Sequence, residues 1–356
     1  MRAAVCRAFK SDLVIEEVTL AAPGPSEIEV EIEACAICHS DLSYIDGIWG
    51  GNLPLVLGHE AVGRVRRLGP GVTDFATGER VLVTLLWSCG TCPACADTAP
   101  TSCHNTWNPM DSPLRSATGE VVAHGMHAGA FAERTVVDVS QCIQVPDDMD
   151  PAVLSLLSCG VITGWGAVAN TAKLRKGQTC AVIGAGGVGL NTIQGAAALG
   201  ASRVIAVDVS QAKCDAAFDF GATDSLLAGP DLAEQILELT GFGVDYVFVT
   251  VGAPPAFQQA PSLLAPGGSV VLVGMPPLDT MVEYDPLNMA SLNQSILGSR
   301  MGQTVLKRDI PLLLEAYKDG RLKLDALVTG RYPLEQINEA MAEVRAGTAL
   351  RNVIVF

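Results

Sequence analysis

Residues 179–190 read TCAVIGAGGVGL, and this stretch decides the fold of the chain around it. The apolar run Thr179–Ile183 predicts a buried strand, and Leu190–Leu199 predicts a helix. Three glycines at G-x-G-x-x-G spacing separate them. The first permits a tight turn, the second lets a pyrophosphate approach the backbone, and the third allows helix and strand to pack closely. The loop residues predicted to bind a dinucleotide are Gly184, Gly186, Gly187 and Gly189.

Asp208 ends the next predicted strand, 19 residues after Gly189. A carboxylate at this spacing accepts hydrogen bonds from the ribose hydroxyls of NAD and repels the 2′-phosphate of NADP. Val209 and Ser210 supply no positive charge that would reverse this preference. We therefore predict NAD as the cofactor, the alternative interpretation being an ordinary glycine turn with a solvent-facing Asp208.

The character of the sequence changes near residue 150. Before it, short alternating runs separated by Gly and Pro indicate an irregular, mostly antiparallel β domain. After it, strands and helices alternate, which indicates βαβ units and a doubly wound parallel sheet. A chain of 356 residues is expected to form two domains. We assign 1–160 and 301–356 to the β domain and 161–300 to the dinucleotide domain.

Composition excludes several classes of protein. Hydrophobic residues make up 49% of the chain and charged residues 17%, as in a well-buried globular protein. The formal net charge of −15 argues against nucleic acid or an anionic membrane surface as a partner. We see neither an apolar run of membrane-spanning length nor a signal peptide, and we expect a cytoplasmic protein.

Four of the 11 cysteines follow a C-x₂-C-x₂-C-x₇-C pattern. Four thiolates in one loop can complete a tetrahedral shell around Zn²⁺ with no position left for water, which is typical of a structural site. An iron–sulfur centre and a redox disulfide pair are the alternatives, although ferredoxin-type spacing differs and a redox C-x-x-C belongs beside a βαβ unit. The predicted ligands are Cys89, Cys92, Cys95 and Cys103.

Three further motifs are ambiguous when each is taken alone. They are Cys38-His39-Ser40-Asp41, Gly58-His59-Glu60 and Ser158-Cys159-Gly160. The last of them lies within Ala152–Asn170, whose small apolar residues predict a helix. Together with the four-cysteine loop and GAGGVG, and in this order, they give a sequence that resembles the zinc-containing medium-chain alcohol dehydrogenases. The similarity extends over essentially the whole chain, and it implies a GroES-like catalytic domain and a Rossmann coenzyme domain.

The resemblance implies a second, catalytic zinc, making two per chain, held by Cys38, His59 and Cys159 with the fourth position open. There an alcohol would bind as alkoxide and pass a hydride to NAD. The resemblance also assigns Ser40 to the substrate oxygen, Asp41 to the orientation of His59, and Glu60 to the surroundings of the metal. Implied cofactor contacts are His39, Thr163, Val188, Lys213 and Arg351.

One departure from the family pattern concerns proton transfer. Liver and yeast enzymes have a relay histidine five residues after the first zinc cysteine, and this chain has Ser43 there. Either a water chain through Ser40, the ribose and Ser43 replaces the histidine, or another base does. We expect His124 and His127 to lie in a surface or pocket-rim loop without this role.

The substrate predicted from the resemblance is a neutral primary, secondary or aryl alcohol. The matching pocket positions are apolar, namely Trp49, Leu85, Met126 and Met275. Related zinc dehydrogenases acting on polyols, amino alcohols or thiol–aldehyde adducts are the alternatives, although a cysteine at 159 disfavours the sugar type. A non-catalytic NAD-binding relative is a further alternative. The family implies a homodimer or homotetramer with Ser269–Tyr284 at the interface.

Overall fold

The structure, a computed structural model, describes residues 1–97 and 99–356. The chain divides into two compact units. The first contains Met1–Cys159, Val305–Pro311 and Leu324–Phe356, and the second contains Gly160–Thr304 and Leu312–Lys323. The sequence prediction placed these boundaries at 160 and 301, whereas the segment Leu312–Lys323 clusters with the second unit.

Strands account for most of the regular structure in the first unit and for the sheet of the second. In chain order they are β1 (Arg2–Cys6), β2 (Val14–Leu20), β3 (Glu27–Ala36), β4 (Leu55–Val56), β5 (Glu60–Leu68), β6 (Arg80–Val83), β7 (Leu114–Ser116), β8 (Val121–His124), β9 (Arg134–Asp138), β10 (Cys142–Gln144), β11 (Thr179–Ile183), β12 (Arg203–Asp208), β13 (Asp224–Leu227), β14 (Val244–Val249), β15 (Leu264–Leu272), β16 (Ser295–Gly298), β17 (Val328–Pro333) and β18 (Arg351–Val355).

The helices are short in the first unit and longer around the second sheet. They are α1 (His39–Ile45), α2 (Pro93–Ala96), α3 (Pro151–Ser155), α4 (Gly160–Gly166), α5 (Gly187–Ala198), α6 (Gln211–Ala216), α7 (Leu232–Thr240), α8 (Pro254–Gln259), α9 (Pro286–Ser291), α10 (Leu306–Lys318) and α11 (Ile337–Ala346), with a π-helical segment, Ala167–Ala172, directly after α4.

The second unit is a doubly wound parallel sheet, as predicted. Its strand order is β13-β12-β11-β14-β15-β16, in which the chain starts in the middle, fills one side and then crosses to the other. The core between the sheet and its helices consists of branched and aromatic residues, among them Ile205 and Val247 on strands and Phe257 on α8, and they are almost fully buried. Burial on both faces explains why these strands are apolar throughout rather than alternating.

The first unit combines a small closed barrel and a mostly antiparallel sheet. The barrel order is β1-β2-β7-β8-β4, and the sheet order is β10-β6-β5-β3-β18-β17, with β9 also paired to β3. The largest side chain in the core between these layers is Phe131, which is fully buried. Central β3 is bordered by β5 and by the C-terminal strand β18, so the last strand of the chain lies beside one from its first forty residues.

The predicted helix over Ala152–Asn170 is not continuous. Helix α3 passes into a 3₁₀ turn, Leu156–Ser158, and Cys159 then breaks the helical path with φ −147° and ψ −68° before α4 begins. Periodicity alone could not show this break, because small apolar residues continue on both sides of it.

Among the residues that the structure describes, no single helix is long and apolar enough to cross a membrane. Only the pair Pro151–Ser158 and Gly160–Ala172, bent by 49°, reaches that length and composition together, and most of its residues are buried in the protein.

Candidate functional site

Strand pairing brings Cys38 and His59 together. Cys38 is the N-cap residue of α1, two residues after β3 ends, and His59 directly precedes β5. Strands β3 and β5 are antiparallel with Ala36 opposite Glu60, so the ends that carry the cysteine and the histidine lie side by side. The sheet register therefore places two residues that are 21 positions apart in sequence at one point.

Two local devices complete this arrangement. Gly58 has φ +89°, and a Cβ built on it would lie 2.6 Å from the Phe131 amide nitrogen, so the approach to His59 requires glycine. On the other side, the Ser158 hydroxyl donates to the Ala61 carbonyl at 3.0 Å. That bond fixes the chain next to Cys159 against the start of β5.

The ligand atoms of Cys38, His59, Glu60 and Cys159 all lie within 4.8 Å of one another. Both cysteines are 6% exposed, and His59 and Glu60 are fully buried. Nε2 of His59 is buried with no hydrogen-bond partner among the described residues. An orphaned buried acceptor is costly, and two sulfurs beside it make a donor set that fits Zn²⁺ with one position to spare.

Asp41 fixes the orientation of the imidazole. Its Oδ1 lies 3.3 Å from His59 Nδ1 and accepts from the Gly58 amide at 3.1 Å. Its Oδ2 accepts from the Cys38 amide at 2.9 Å. With Nδ1 donating to the carboxylate, Nε2 carries the free lone pair, and the same side chain holds two ligand segments in place.

The electrostatics of the cluster favour a bound cation. A hydrogen bond from Cys159 holds the pKa of the Cys38 thiol well below its usual range, although burial opposes it. The same bond, with burial, raises the pKa of Cys159. Burial lowers the pKa of His59, but Asp41 and Cys38 outweigh it and leave this pKa well above its usual value. Such a pocket stabilises a thiolate and positive charge beside it.

Glu60 is also paired, through its other oxygen. Arg351 at the start of β18 donates to Glu60 Oε2, while Glu60 Oε1 is buried without a hydrogen-bond partner among the described residues. Burial raises the pKa of Glu60 to about 7, against the opposing effect of Arg351. The structure thus gives Arg351, 5% exposed, an ion-pair partner, and its predicted contact with a pyrophosphate stays a prediction.

The four-cysteine loop forms a second cluster. Sγ–Sγ distances are 4.0 Å for Cys89–Cys95, 3.5 Å for Cys92–Cys95 and 4.0 Å for Cys92–Cys103. Four sulfurs at about 2.3 Å from a tetrahedral ion would be roughly 3.8 Å apart, whereas a disulfide requires about 2.05 Å. All four cysteines are free thiols, so the geometry fits a metal and not a disulfide pair.

Backbone amides favour the thiolate form of Cys89 and Cys92, whereas burial raises the pKa of Cys95 to about 12. The Cys92 amide donates to Cys89 Sγ at 3.3 Å, and the His104 amide donates to Cys92 Sγ at 3.4 Å. Hydrogen bonds of this kind, from Thr91 and Cys92, lower the pKa of Cys89 to about 6. His104 therefore contributes through its backbone, which agrees with the choice of Cys103 as the fourth ligand.

The backbone geometry of the glycine loop requires glycine at two of the predicted positions. Gly184 has φ +101°, and a Cβ on Gly189 would lie 1.7 Å from the Gly184 carbonyl oxygen, so both positions require glycine. A Cβ on Gly186 would meet nothing within 4 Å, which leaves open space at the N-terminus of α5. Amides there face a site suited to a phosphate group.

Asp208 ends β12 beside this loop and is 8% exposed. Its Oδ2 accepts from the Ala185 amide at 2.8 Å, and its Oδ1 accepts from the Ser210 amide at 3.0 Å. Lys213 lies half-buried on α6, which follows β12. The carboxylate therefore has a fixed position, with remaining lone pairs for ligand hydroxyls.

The predicted nicotinamide neighbours also meet. A Cβ on Gly164 would lie 2.4 Å from the Val188 carbonyl oxygen, so α4 and α5 cross in close contact at this glycine. Thr163, the residue before it, is 7% exposed and donates its hydroxyl to Met301 Sδ at 3.5 Å. Thr163 and Val188 thus come from adjoining turns of two packed helices.

Comparison with known proteins follows the same division of the chain. The family model for the alcohol dehydrogenase GroES-like domain matches residues 24–147, and the model for zinc-binding dehydrogenase matches residues 187–319. The NDMA-dependent alcohol dehydrogenase of Amycolatopsis methanolica is 34% identical over 364 residues, covering 99% of this chain and 98% of that protein. The chain belongs to the zinc-dependent medium-chain alcohol dehydrogenase family. The prediction of this family and its two-domain fold is confirmed.

Solved structures resemble this alcohol dehydrogenase along its whole length. An alcohol dehydrogenase zinc-binding domain protein from Burkholderia ambifaria matches with TM-score 0.95 and 34% identity, covering 100% of this chain and 98% of that one. Benzyl alcohol dehydrogenase from Acinetobacter calcoaceticus matches with a TM-score of 0.94 and 29% sequence identity, and the match covers 100% of this chain and 99% of that one. A zinc-binding dehydrogenase from Sinorhizobium meliloti 1021, solved bound to NADP, matches with a TM-score of 0.83 and 26% sequence identity. This match covers 100% of this chain and 99% of that one. Zinc and a nicotinamide cofactor therefore belong to this fold.

The residues predicted to take part in proton transfer lie on α1. Ser40 and Ser43 are half-buried and His39 is exposed. Ser43 makes no side-chain hydrogen bond to another described residue, and its carbonyl accepts from the Ile48 amide at 2.9 Å. What replaces the relay histidine of the liver and yeast enzymes therefore stays a prediction.

The predicted pocket residues occupy different parts of the alcohol dehydrogenase fold. Trp49 packs edge-on against Tyr44, with ring centroids 5.4 Å apart. Leu85 and Met126 are half-buried on segments next to the metal-ligand strands. Met275 belongs to the second unit and is 64% exposed within this chain, so its assignment to a pocket wall stays a prediction.

His124 and His127 lie deeper than the sequence prediction of a surface or rim loop. His124 ends β8, is 3% exposed and bonds through Nε2 to Thr135 Oγ1 at 2.9 Å. His127 is half-buried between two tryptophan rings. Fully buried Gln141, beneath them, was missed by the sequence analysis, because a single glutamine in a short 3₁₀ turn carries no pattern.

Proposed function

We propose that this chain is an NAD-linked alcohol dehydrogenase that uses one catalytic and one structural zinc. The observation that carries the proposal is the buried cluster of Cys38, His59 and Cys159, in which an unpartnered imidazole nitrogen stands beside two sulfurs. A protein that only binds a dinucleotide has no need of such a donor set. The four-cysteine loop would hold the second zinc, and that zinc would stabilise the loop.

Each residue of the cluster has a role that follows from its contacts. Cys38, Cys159 and His59 would hold the zinc, and Asp41 keeps the imidazole in the tautomer that presents Nε2. When bound, zinc supplies a Lewis acid that favours loss of the alcohol proton, and NAD supplies the hydride acceptor. Ser40 is the hydroxyl on α1 nearest in sequence to Cys38, and it would accept that proton and pass it to water.

Arg351 and Glu60 set the charge beside the cluster. Two thiolates neutralise a divalent ion, and the ion pair formed by Glu60 and Arg351 adds no net charge to it. A neutral first shell binds an uncharged alcohol without holding the aldehyde product too tightly. This supports neutral primary, secondary or aryl alcohols over hydroxy acids as substrates.

Asp208 supports NAD over NADP. Its carboxylate lies at the end of β12, fixed by two backbone amides, where a 2′-phosphate would meet negative charge. A solved relative is bound to NADP, and the Amycolatopsis relative is named for its dependence on NDMA, so both alternatives belong in the test.

One experiment tests the proposal directly. Purified protein is assayed for reduction of NAD⁺ and of NADP⁺ with ethanol, hexanol, benzyl alcohol and sorbitol, and for alcohol oxidation with NDMA as acceptor. Zinc is measured on the same sample. We expect two zinc ions per chain, NAD⁺ reduction with the three neutral alcohols, and none in Cys38→Ser. Preference for sorbitol, or activity unaffected by this substitution, would contradict the proposal.

The assembly that we propose is a homodimer or homotetramer in which Ser269–Tyr284 contributes to the contact. Leu278 is 62% exposed and Met281 is 88% exposed in the single chain, which leaves apolar side chains uncovered in this segment. Light scattering of the purified protein would give the number of subunits, and a monomer at micromolar concentration would contradict it.

A further inference from the structure

The turn Gly125–His127 is strained and packs against the segment that leads into His59. Met126 has φ +47° and His127 has φ +62°, both in the left-handed region that residues other than glycine seldom adopt. A Cβ on Gly125 would lie 2.5 Å from the Val56 carbonyl oxygen, on the chain that leads into His59. Consecutive strained residues persist only where the surrounding structure holds them.

Gln141 holds this turn to a second segment. Its Nε2 donates to the His127 carbonyl and to the Thr84 carbonyl, each at 2.8 Å, and its Oε1 accepts from the Asp138 amide at 3.2 Å. Both amide hydrogens are therefore used, and the side chain is fully buried. Thr84 directly follows β6, whose Val83 pairs with Ala61 next to the metal-ligand residues. One glutamine thus links two segments that flank the same cluster.

Ring contacts link the same two segments a second time and join a third segment to them. The ring of His127 lies 3.6 Å from that of Trp107, centroid to centroid, at an angle of 46°. On its other side the Trp87 ring is edge-on at 5.4 Å and 68°. Burial lowers the pKa of His127 to about 3, so the imidazole is neutral and packs as an aromatic ring. Trp87 belongs to the segment after β6, so its contact with His127 joins the same two segments as the Gln141 hydrogen bonds.

We propose that Gln141 and the Trp87–His127–Trp107 stack form a brace that sets substrate specificity. The brace fixes the carbonyls of Thr84 and His127, and the two predicted pocket residues, Leu85 and Met126, are their immediate neighbours in sequence. With the predicted pocket assignment, the positions of these two apolar side chains would set the width of the pocket that an alcohol enters. This inference rests on the proposed function for its substrate class.

The hydrogen bonds and ring contacts of the brace residues given above involve no metal-ligand atom, so we assign them a positioning role. Loosening the brace lets Leu85 and Met126 move, and alcohols of different width then bind more equally. A uniform loss of stability would lower turnover of every alcohol by the same factor. The change in the ratio between alcohols separates the two cases.

The test compares Trp107→Ala with Trp107→Phe, which keeps a ring at this half-buried position. The values of kcat and KM are measured for ethanol, hexanol and benzyl alcohol with saturating cofactor. We expect the ratio of the best to the worst kcat/KM to fall about tenfold in Trp107→Ala, mainly through KM, and to stay within twofold in Trp107→Phe. His127→Gly, which removes the ring but tolerates positive φ, gives the same change.

Hydrogen exchange provides a readout that needs no turnover. We expect peptides covering 84–87 and 125–129 to exchange at least tenfold faster in Trp107→Ala, with 57–61 and the zinc content unchanged. Unchanged exchange in active enzyme, or an equal fall in kcat/KM for all three alcohols, overturns the brace. Wild-type protein that oxidises none of them overturns the proposed function, and with it the specificity role, while the exchange data still decide whether the brace holds the two segments.

Discussion

Asp208 is held by two backbone amides at the position where the proposed cofactor would bind. It accepts backbone bonds from Ala185 and Ser210, so removing it would also loosen the glycine loop. Asp208→Asn keeps an acceptor oxygen but loses the charge. We expect kcat/KM for NAD⁺ relative to NADP⁺ to fall about 10- to 100-fold, the effect of a charged hydrogen bond worth about 1.5–3 kcal/mol. An unchanged ratio would show that another residue selects the cofactor. Asp215→Asn, exposed on α6, is the control.

His124 makes stability depend on pH. Thr135 donates its hydroxyl to the Ala128 carbonyl, so Nε2 of His124 must donate to Thr135, and the buried imidazole is neutral. Burial lowers its pKa to about 4, below the value of about 6.5 in the unfolded chain. The unfolded state therefore binds more protons between these values, and stability falls as pH drops through this window. Between pH 7.5 and 5 we expect a loss of about 2 kcal/mol from this group. The glutamine in His124→Gln cannot titrate. The free energy of unfolding of this variant, measured in urea, should therefore fall between pH 7.5 and 5 by about 2 kcal/mol less than that of the wild type.

At the level of elements, local signals are those that the sequence predicts well. The strand, turn and helix around Gly184–Gly189 follow from glycine spacing, and β11 has the predicted bounds, Thr179–Ile183. The break at Cys159 does not follow, because it depends on the Ser158 bond to Ala61 in a distant strand. The same holds for Gln141, whose partners are the carbonyls of two other segments. Spacing reveals four ligands in one loop but not ligands that only a sheet register brings together.

The four-cysteine loop is an element whose stability should depend on its metal. In its described residues the regular structure is the short helix α2 and a 3₁₀ turn, Pro100–Ser102, and the ligand atoms of the four cysteines lie within 4.8 Å of one another. We expect Cys103→Ser to reduce the zinc content from two to one per chain and to lower the melting temperature by roughly 5 °C. Cys180→Ala, a buried thiol in β11 outside both clusters, should retain two zinc ions. Two zinc ions in Cys103→Ser would show that His104 or water replaces the fourth ligand.

At the level of the whole molecule, the C-terminal strand completes the site that the N-terminal part begins. β18 pairs with β3 on the side opposite β5, so Arg351 and Glu60, 291 residues apart, meet beyond the end of the central strand. Local patterns cannot predict this contact, because it depends on the strand order of the finished sheet. Both side chains are buried, and an unpaired buried charge is strongly destabilising.

A double-mutant cycle on this pair tests how far the two ends depend on each other. We expect Arg351→Met to lower the free energy of unfolding by about 3–5 kcal/mol, because it leaves the Glu60 carboxylate buried without its partner. Glu60→Gln leaves the guanidinium unpaired and should also destabilise. The double variant buries neither charge, so its loss should be smaller than the sum of the two single losses by about 2 kcal/mol or more. Urea unfolding with zinc present gives the three values. If the losses in unfolding free energy are additive, β18 is held by its backbone pairing with β3 and not by the ion pair.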